Sequence, residues 1–194
     1  MGWARSLLAA GLTGAALAAC APIEYASVPQ PGLPRNAPPS YARPQPLPNF
    51  DPNGAPTIVR DGPRLQCVPF ARGLSGIQIY GDANTWWAQA AGRYPRGGIP
   101  SPGSVFVLRG YNNPGRGHVA VVTAIVGPRE IRVDQANWLN GGEVTVRVPV
   151  LDVSPNNDWT QIRMWHIPTQ AWGARIYEAE GFIHPLPLTY AAAS

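Results

Sequence analysis

"SVFVLRGYNNPGRGHVAVVTAIVGPREIRVDQANW", residues 104–138, decides the fold class. It contains three short runs, 104–109, 118–126 and 130–137, each rich in β-branched residues and bounded by glycine, proline or asparagine, which is the pattern of strands between turns. The connections are short, one of them Gly127-Pro128, so neighbouring strands are expected to pair antiparallel as a meander. Downstream, "EVTVRVPV" (143–150) follows the turn Asn140-Gly141-Gly142, and "TQIRMWHI" (160–167) adds a fifth strand.

Upstream of residue 104 the pattern is helical. In "LQCVPFARG" (65–73), Pro69 suits a first helical turn, where its missing N–H would be unpaired in any case. "GDANTWWAQAAGRY" (81–94) offers Asp82 or Asn84 as a cap, and Gly92 and Pro95 end the segment. Helices first and a five-stranded antiparallel sheet after them predict an α+β domain over 63–167. Residues 168–194 form a C-terminal tail in which "GFIHPLP" (181–187) is expected to pack on the domain and "AAAS" to fray.

The N-terminal third reads differently. Arg5, a small-residue apolar run from Leu7 to Leu17 and "LAAC" ending at Cys20 have the layout of an export signal over 1–19. "Leu-Ala-Ala-Cys" resembles the bacterial lipobox. The resemblance implies acylation of Cys20, hence a membrane anchor, and Ala21 after it implies the periplasmic face of the outer membrane. Residues 20–62 are dense in proline and show no apolar period, which predicts a disordered tether. All fifteen basic residues are arginine, scattered along a chain of net charge +4, which argues against a nucleic-acid patch. The chain shows no internal repeat.

With Cys20 acylated, Cys67 is a lone thiol in an oxidising compartment. A cysteine at a helix start has its thiolate stabilised by the helix dipole and free amide donors, and the thiolate is the form that attacks a carbonyl. His118, led in by Gly115 and Gly117 at the start of a strand, is the candidate base. His166 and His184 fit surface or packing roles better. Alone, Cys67 would be read as a small buried hydrophobe. A helix-start cysteine, a glycine-led strand with histidine and a polar residue on the next strand is more specific.

That arrangement resembles the CHAP family, the cysteine, histidine-dependent amidohydrolases/peptidases of the papain-like NlpC-type superfamily. The resemblance rests on "QCVPFAR", "NTWWAQA", "PSPGSVFVL", "GHVAVV" and "VDQANW", spanning about 65–138 and extending toward Ile167. It implies a papain-like fold with N-terminal helices packed on the sheet. The implied activity is peptidoglycan hydrolysis at an amide bond, either muramoyl-alanine or within the stem peptide and its cross-links, with Cys67 as nucleophile and His118 as base. Neither cofactor nor metal is implied. Which amide is cut, and whether a protein activator takes part, is left open. Ser104 and Gln135 stand where the family usually has Asp and Glu.

The expected chemistry is attack by a Cys67 thiolate paired with a His118 imidazolium. The Cys67 backbone N–H would hold the oxyanion, with Gln66 either adding a side-chain donor or lying solvated. Trp86, Trp87 and Trp138 are candidates for a substrate groove or for the core. Alternation along "IRVDQAN" puts Gln135 and Asn137 on one face and Asp134 on the other. Asn137 is therefore expected to orient His118, with Gln135 as auxiliary and Asp134 pointing away unless a bulge resets the register. The competing reading is a catalytically silent CHAP-fold envelope lipoprotein acting as a binding or scaffolding module.

Overall fold

The run Val105–Leu108 is apolar at every position, and the computed structural model, which describes residues 54–186, shows why: both faces of this strand are covered. In chain order the elements are β1 (Thr57–Val59), α1 (Cys67–Ser75), a short 3-10 turn (Ala83–Thr85), α2 (Trp86–Ala90), β2 (Arg96–Gly97), β3 (Val105–Arg109), β4 (Gly117–Gly127), β5 (Glu130–Ala136), β6 (Val144–Asp152), β7 (Gln161–His166), β8 (Ala171–Trp172) and β9 (Tyr177–Ile183). The expected export signal, Cys20 and the tether as far as residue 53 lie outside the described residues. The span read as tether also includes β1, which pairs with β6 through Thr57↔Val146.

The expectation of an α+β, papain-like fold with N-terminal helices packed on a five-stranded sheet is overturned. The described residues are mostly β, 39% strand against 15% helix, and six strands close an antiparallel barrel in the order β6-β5-β4-β3-β9-β7, β7 returning to β6. The five expected strands are present as β3 to β7. The sixth, β9, lies in the stretch read as a tail; it seats between β3 and β7, with Val105↔Ile183 on one side and Gln161↔Glu178 on the other. A five-stranded meander would leave β3 and β7 as unpaired edges, and closure by β9 removes both. Helix contributes little because α1 and α2 are nine and five residues long.

Inside the barrel, Phe106, Ala120, Val122, Ile131, Val133, Val148, Ile162 and Phe182 form one core, with Phe106 stacked on Phe182 at 4.5 Å. A second cluster lies outside the barrel wall, where Val105, Val107, Val119 and Val121 meet Ala71 of α1 and Trp86 of α2. Two-sided burial accounts for the unbroken apolar runs of β3 and β4. The wall bends at bulges. Between Val133↔Val148 and Gln135↔Thr145, β6 carries one residue more than β5, and Arg147 there has φ of 56°. Asp134 Oδ1 accepts the backbone N–H of Arg147 at 2.7 Å, which satisfies an amide that the bulge turns out of the ladder.

Candidate active site

Cys67 is the first residue of α1, and Gln66, extended at φ −85° and ψ 157°, is its N-cap. The β4–β5 ladder begins only at Val121↔Asp134, so residues 117–120 have no partner on that side. The N-terminus of α1 occupies this gap. The backbone amides of Val119, Val68 and Cys67 itself favour the thiolate and lower the Cys67 pKa, but burial is the larger influence and pushes the thiol up from its ordinary value.

His118 sits one residue into β4 and is half-buried. Gly117 makes this placement possible, because a Cβ there would lie 2.7 Å from the backbone nitrogen of Asn84 in the 3-10 turn. His118 Nε2 is 2.9 Å from Gln135 Oε1. With a carbonyl oxygen as acceptor, the imidazole donates from Nε2, and Nδ1 keeps its lone pair. Gln135 is fully buried and its own Nε2 is 3.9 Å from Met164 Sδ. Burial pushes the His118 pKa down to about 4, against the raising influence of the Gln135 hydrogen bond and of the Glu143 carboxylate. Both groups therefore favour their neutral forms at neutral pH, in contrast to the expected thiolate–imidazolium pair.

Asn137 is placed otherwise than expected. β5 ends at Ala136, and Asn137 turns out of the strand with φ of 62°, so strand alternation no longer governs its direction. Its Nδ2 donates to Gln66 Oε1 at 2.7 Å and its Oδ1 accepts from Gly142 N–H at 2.9 Å. The hydrogen bond to the histidine belongs to Gln135, while Asn137 ties the N-cap of α1 to the β5–β6 loop. Asp134 lies on the opposite face of β5, engaged with Arg147.

A cleft of about 680 Å³ is lined by Gln66, Cys67, His118, Asn137 and Trp138, by the β3–β4 loop, and by Arg175 and Tyr177 from the segment around the start of β9. Of the three candidate tryptophans, Trp138 alone lines it, edge-on to His118 with centroids 4.9 Å apart. Trp86 is fully buried in the outer cluster, and Trp87 packs against that cluster beneath the Arg96 guanidinium. Ser104, also fully buried, donates to Ser101 O in the turn before β3. His166 is bonded to Thr169 Oγ1 and His184 to Ser101 Oγ, both away from Cys67. Among the described residues no group of three or more His, Cys, Asp or Glu side chains could hold a metal ion.

Sequence reasoning missed Glu143, Arg175 and Tyr177. Glu143 looked like the first residue of a strand, yet its carboxylate accepts the amides of Leu139 and Gly141 and so holds the loop that carries Trp138. Tyr177 and Arg175 lay in the unassigned tail. A period-two signal was present there, since Tyr177 and Ala179 alternate with Glu178 and Glu180.

Comparison of the chain with curated proteins finds no match. The CHAP family, commonly amidohydrolases and peptidases, points to peptidoglycan hydrolase or amidase-type activity in general. Residues 59–137, which run from the end of β1 through Cys67, His118 and Gln135 to Asn137, match the model of the CHAP domain, and the match supports the CHAP family for this part of the chain.

Proposed function

We propose that this chain is a peptidoglycan hydrolase that cuts an amide bond, muramoyl-alanine or within the stem peptide and its cross-links, through a thioester on Cys67. The observation that carries this reading is the meeting, in one cleft, of a cysteine at a helix start with a histidine whose Nε2 is engaged by Gln135. That engagement leaves Nδ1 as the basic nitrogen, which is what a nucleophile needs beside it.

At rest the thiol and imidazole are neutral, so proton transfer accompanies attack. Cys67 Sγ bonds to the amide carbon as His118 Nδ1 takes the thiol proton. The oxyanion accepts from the Cys67 backbone N–H and from the Gln66 side-chain amide, whose Oε1 is held by Asn137 Nδ2, leaving its nitrogen to donate. The Nδ1 proton passes to the leaving amine and the C–N bond breaks. Water, giving its proton to Nδ1, then hydrolyses the thioester and restores the thiol. Gln135 fixes the ring angle and the Nε2–H tautomer throughout.

The lipobox-like "LAAC" supports a further part of the proposal, that the chain is exported and anchored by acyl groups on Cys20, the proline-rich stretch letting the domain reach the wall. Mass spectrometry of the native protein for acyl chains on Cys20 tests the anchor. For the chemistry, the full chain is incubated with purified sacculi and the released fragments are sequenced by mass spectrometry. The expected result is new amino termini at one type of amide, absent with Cys67→Ala although that variant melts at an unchanged temperature. No release by the parent chain rejects the reading in favour of a silent binding module, and equal release by Cys67→Ala rejects the Cys67 thioester.

A further inference from the structure

The cleft continues past His118. A second hollow of about 670 Å³ opens beyond Trp138 and Tyr177 and shares with the first the residues Trp138, Asn140, Arg175 and Tyr177. Arg175 thus stands where the two hollows meet, on the link between β8 and β9, well past the residues that match the CHAP domain.

Its surroundings hold the guanidinium in place without using its donors. Arg175 Cζ lies 4.7 Å above the Tyr111 ring, and Tyr111 is edge-on to Tyr177 at 5.7 Å. Tyr177 is edge-on to Trp138 at 5.0 Å, which leads back to His118. A cation over an aromatic face is oriented while its in-plane N–H groups stay available. Arg109, another arginine of the cleft, is by contrast occupied: its guanidinium meets Glu180 at 2.9 Å and Glu178 at 3.4 Å. Among the described residues no side-chain hydrogen bond or ion pair engages Arg175.

We propose that Arg175 is a specificity-determining residue that binds a carboxylate of an acidic peptide substrate, at a position removed from the amide that Cys67 attacks. The inference rests on the hydrolase reading above. The planar fork matches a carboxylate in two-point contact, and the aromatic wall beside it takes the apolar parts of the same peptide. A peptide running from the first hollow to the second passes Arg175 on the way. Asp82 is the one carboxylate among the cleft's lining residues, and it forms no ion pair with Arg175.

The test compares two soluble peptides, N-acetyl-Ala-Glu-Lys-Ala with free carboxylates and the same peptide with every carboxylate amidated. Cleavage by the full chain is followed by release of amine, and binding to the full chain carrying Cys67→Ala by calorimetry. The parent chain should prefer the acid, and Arg175→Ala should lower the acid-to-amide ratio of kcat/KM about tenfold, through KM, as expected for loss of a charge-assisted hydrogen bond at a wet site. Arg175→Lys should restore part of the ratio, since it keeps the charge but loses the planar fork. An unchanged ratio in Arg175→Ala, with both peptides still cut, overturns this inference and leaves the hydrolase reading standing. Failure of Cys67→Ala to bind the acid more tightly than the amide also overturns this inference, whereas the hydrolase reading falls only if the parent chain releases nothing from sacculi.

Discussion

Asp134 and Gln135 are chain neighbours on β5, both fully buried, yet they face different environments. Gln135 points into the barrel mouth and holds His118; Asp134 points to the outer layer and holds the bulge at Arg147. The carboxylate, the obvious candidate for a catalytic triad, is therefore engaged at the bulge, and the amide takes the position beside His118. The difference teaches that strand parity outweighs chemical type, because a side chain can act only on the face to which the pleat assigns it. A neutral partner suits this place. With His118 already pushed down to about 4 by burial, a carboxylate would raise it again, whereas an amide fixes the ring without adding charge.

Removing the inner partner should have the largest effect. Gln135→Ala frees the imidazole to rotate and should lower kcat on the order of a hundredfold, the scale expected when a catalytic base is misplaced by about an ångström. Asn137→Ala, acting only through Gln66, should cost less, about tenfold, the scale of weakening one oxyanion donor held by a single hydrogen bond. The reverse ranking, measured by steady-state kinetics on a soluble peptide, would show that the Gln135–His118 contact is not the one that matters.

A second measurement addresses the resting state of Cys67. Because burial raises the Cys67 pKa, its thiolate is scarce at neutral pH, so iodoacetamide should alkylate native Cys67 slowly at pH 7 and faster as pH rises past the ordinary thiol value of 9.0. Fast, pH-independent alkylation between pH 5 and 8 would instead indicate a standing thiolate–imidazolium pair.

The smallest effect on activity is expected on the outer face. Burial raises the Asp134 pKa from 3.8 to about 6, the Arg147 amide offsetting only part of it. A folded-state pKa above the unfolded one means that the native state binds the proton more tightly, so this group's contribution to stability falls as pH rises from about 4 through 6. Asp134→Asn keeps the acceptor for Arg147 and removes the buried charge. It should leave kcat within about twofold, since the change lies on the face away from the base. Its melting temperature should exceed the parent's at pH 7, and the gain should vanish below pH 4. A kcat loss as large as that of Gln135→Ala would place Asp134 in the catalytic machinery after all.

How much of this was legible follows from the range of each signal. Five barrel strands were readable because β-branched runs between turn residues report local backbone preference. The sixth, β9, was not, because "YEAEGFI" carries two glutamates and a glycine and gains its strand pairing only from β3 and β7, far away in sequence. Cys67 and His118 were legible from their neighbours: a proline two residues into a helix, and glycines before an apolar strand. Gln135 was legible as sharing the face of His118, but its precedence over Asn137 was not, because alternation was extended one position past the end of β5, where Asn137 adopts a left-handed backbone that only the β5–β6 loop imposes.

By itself, then, the sequence determined the local elements and singled out Cys67 and His118 as candidates, since helix starts, strand periodicity and turn residues depend on contacts a few positions apart. Tertiary structure alone decided that the strands close into a barrel, that Gln135 and not Asn137 meets His118, and that Arg175 stands at the join of two hollows. Closure depends on β9 pairing with strands far away in sequence, and the choice of Gln135 depends on the loop that ends β5 at Ala136; no local preference encodes either.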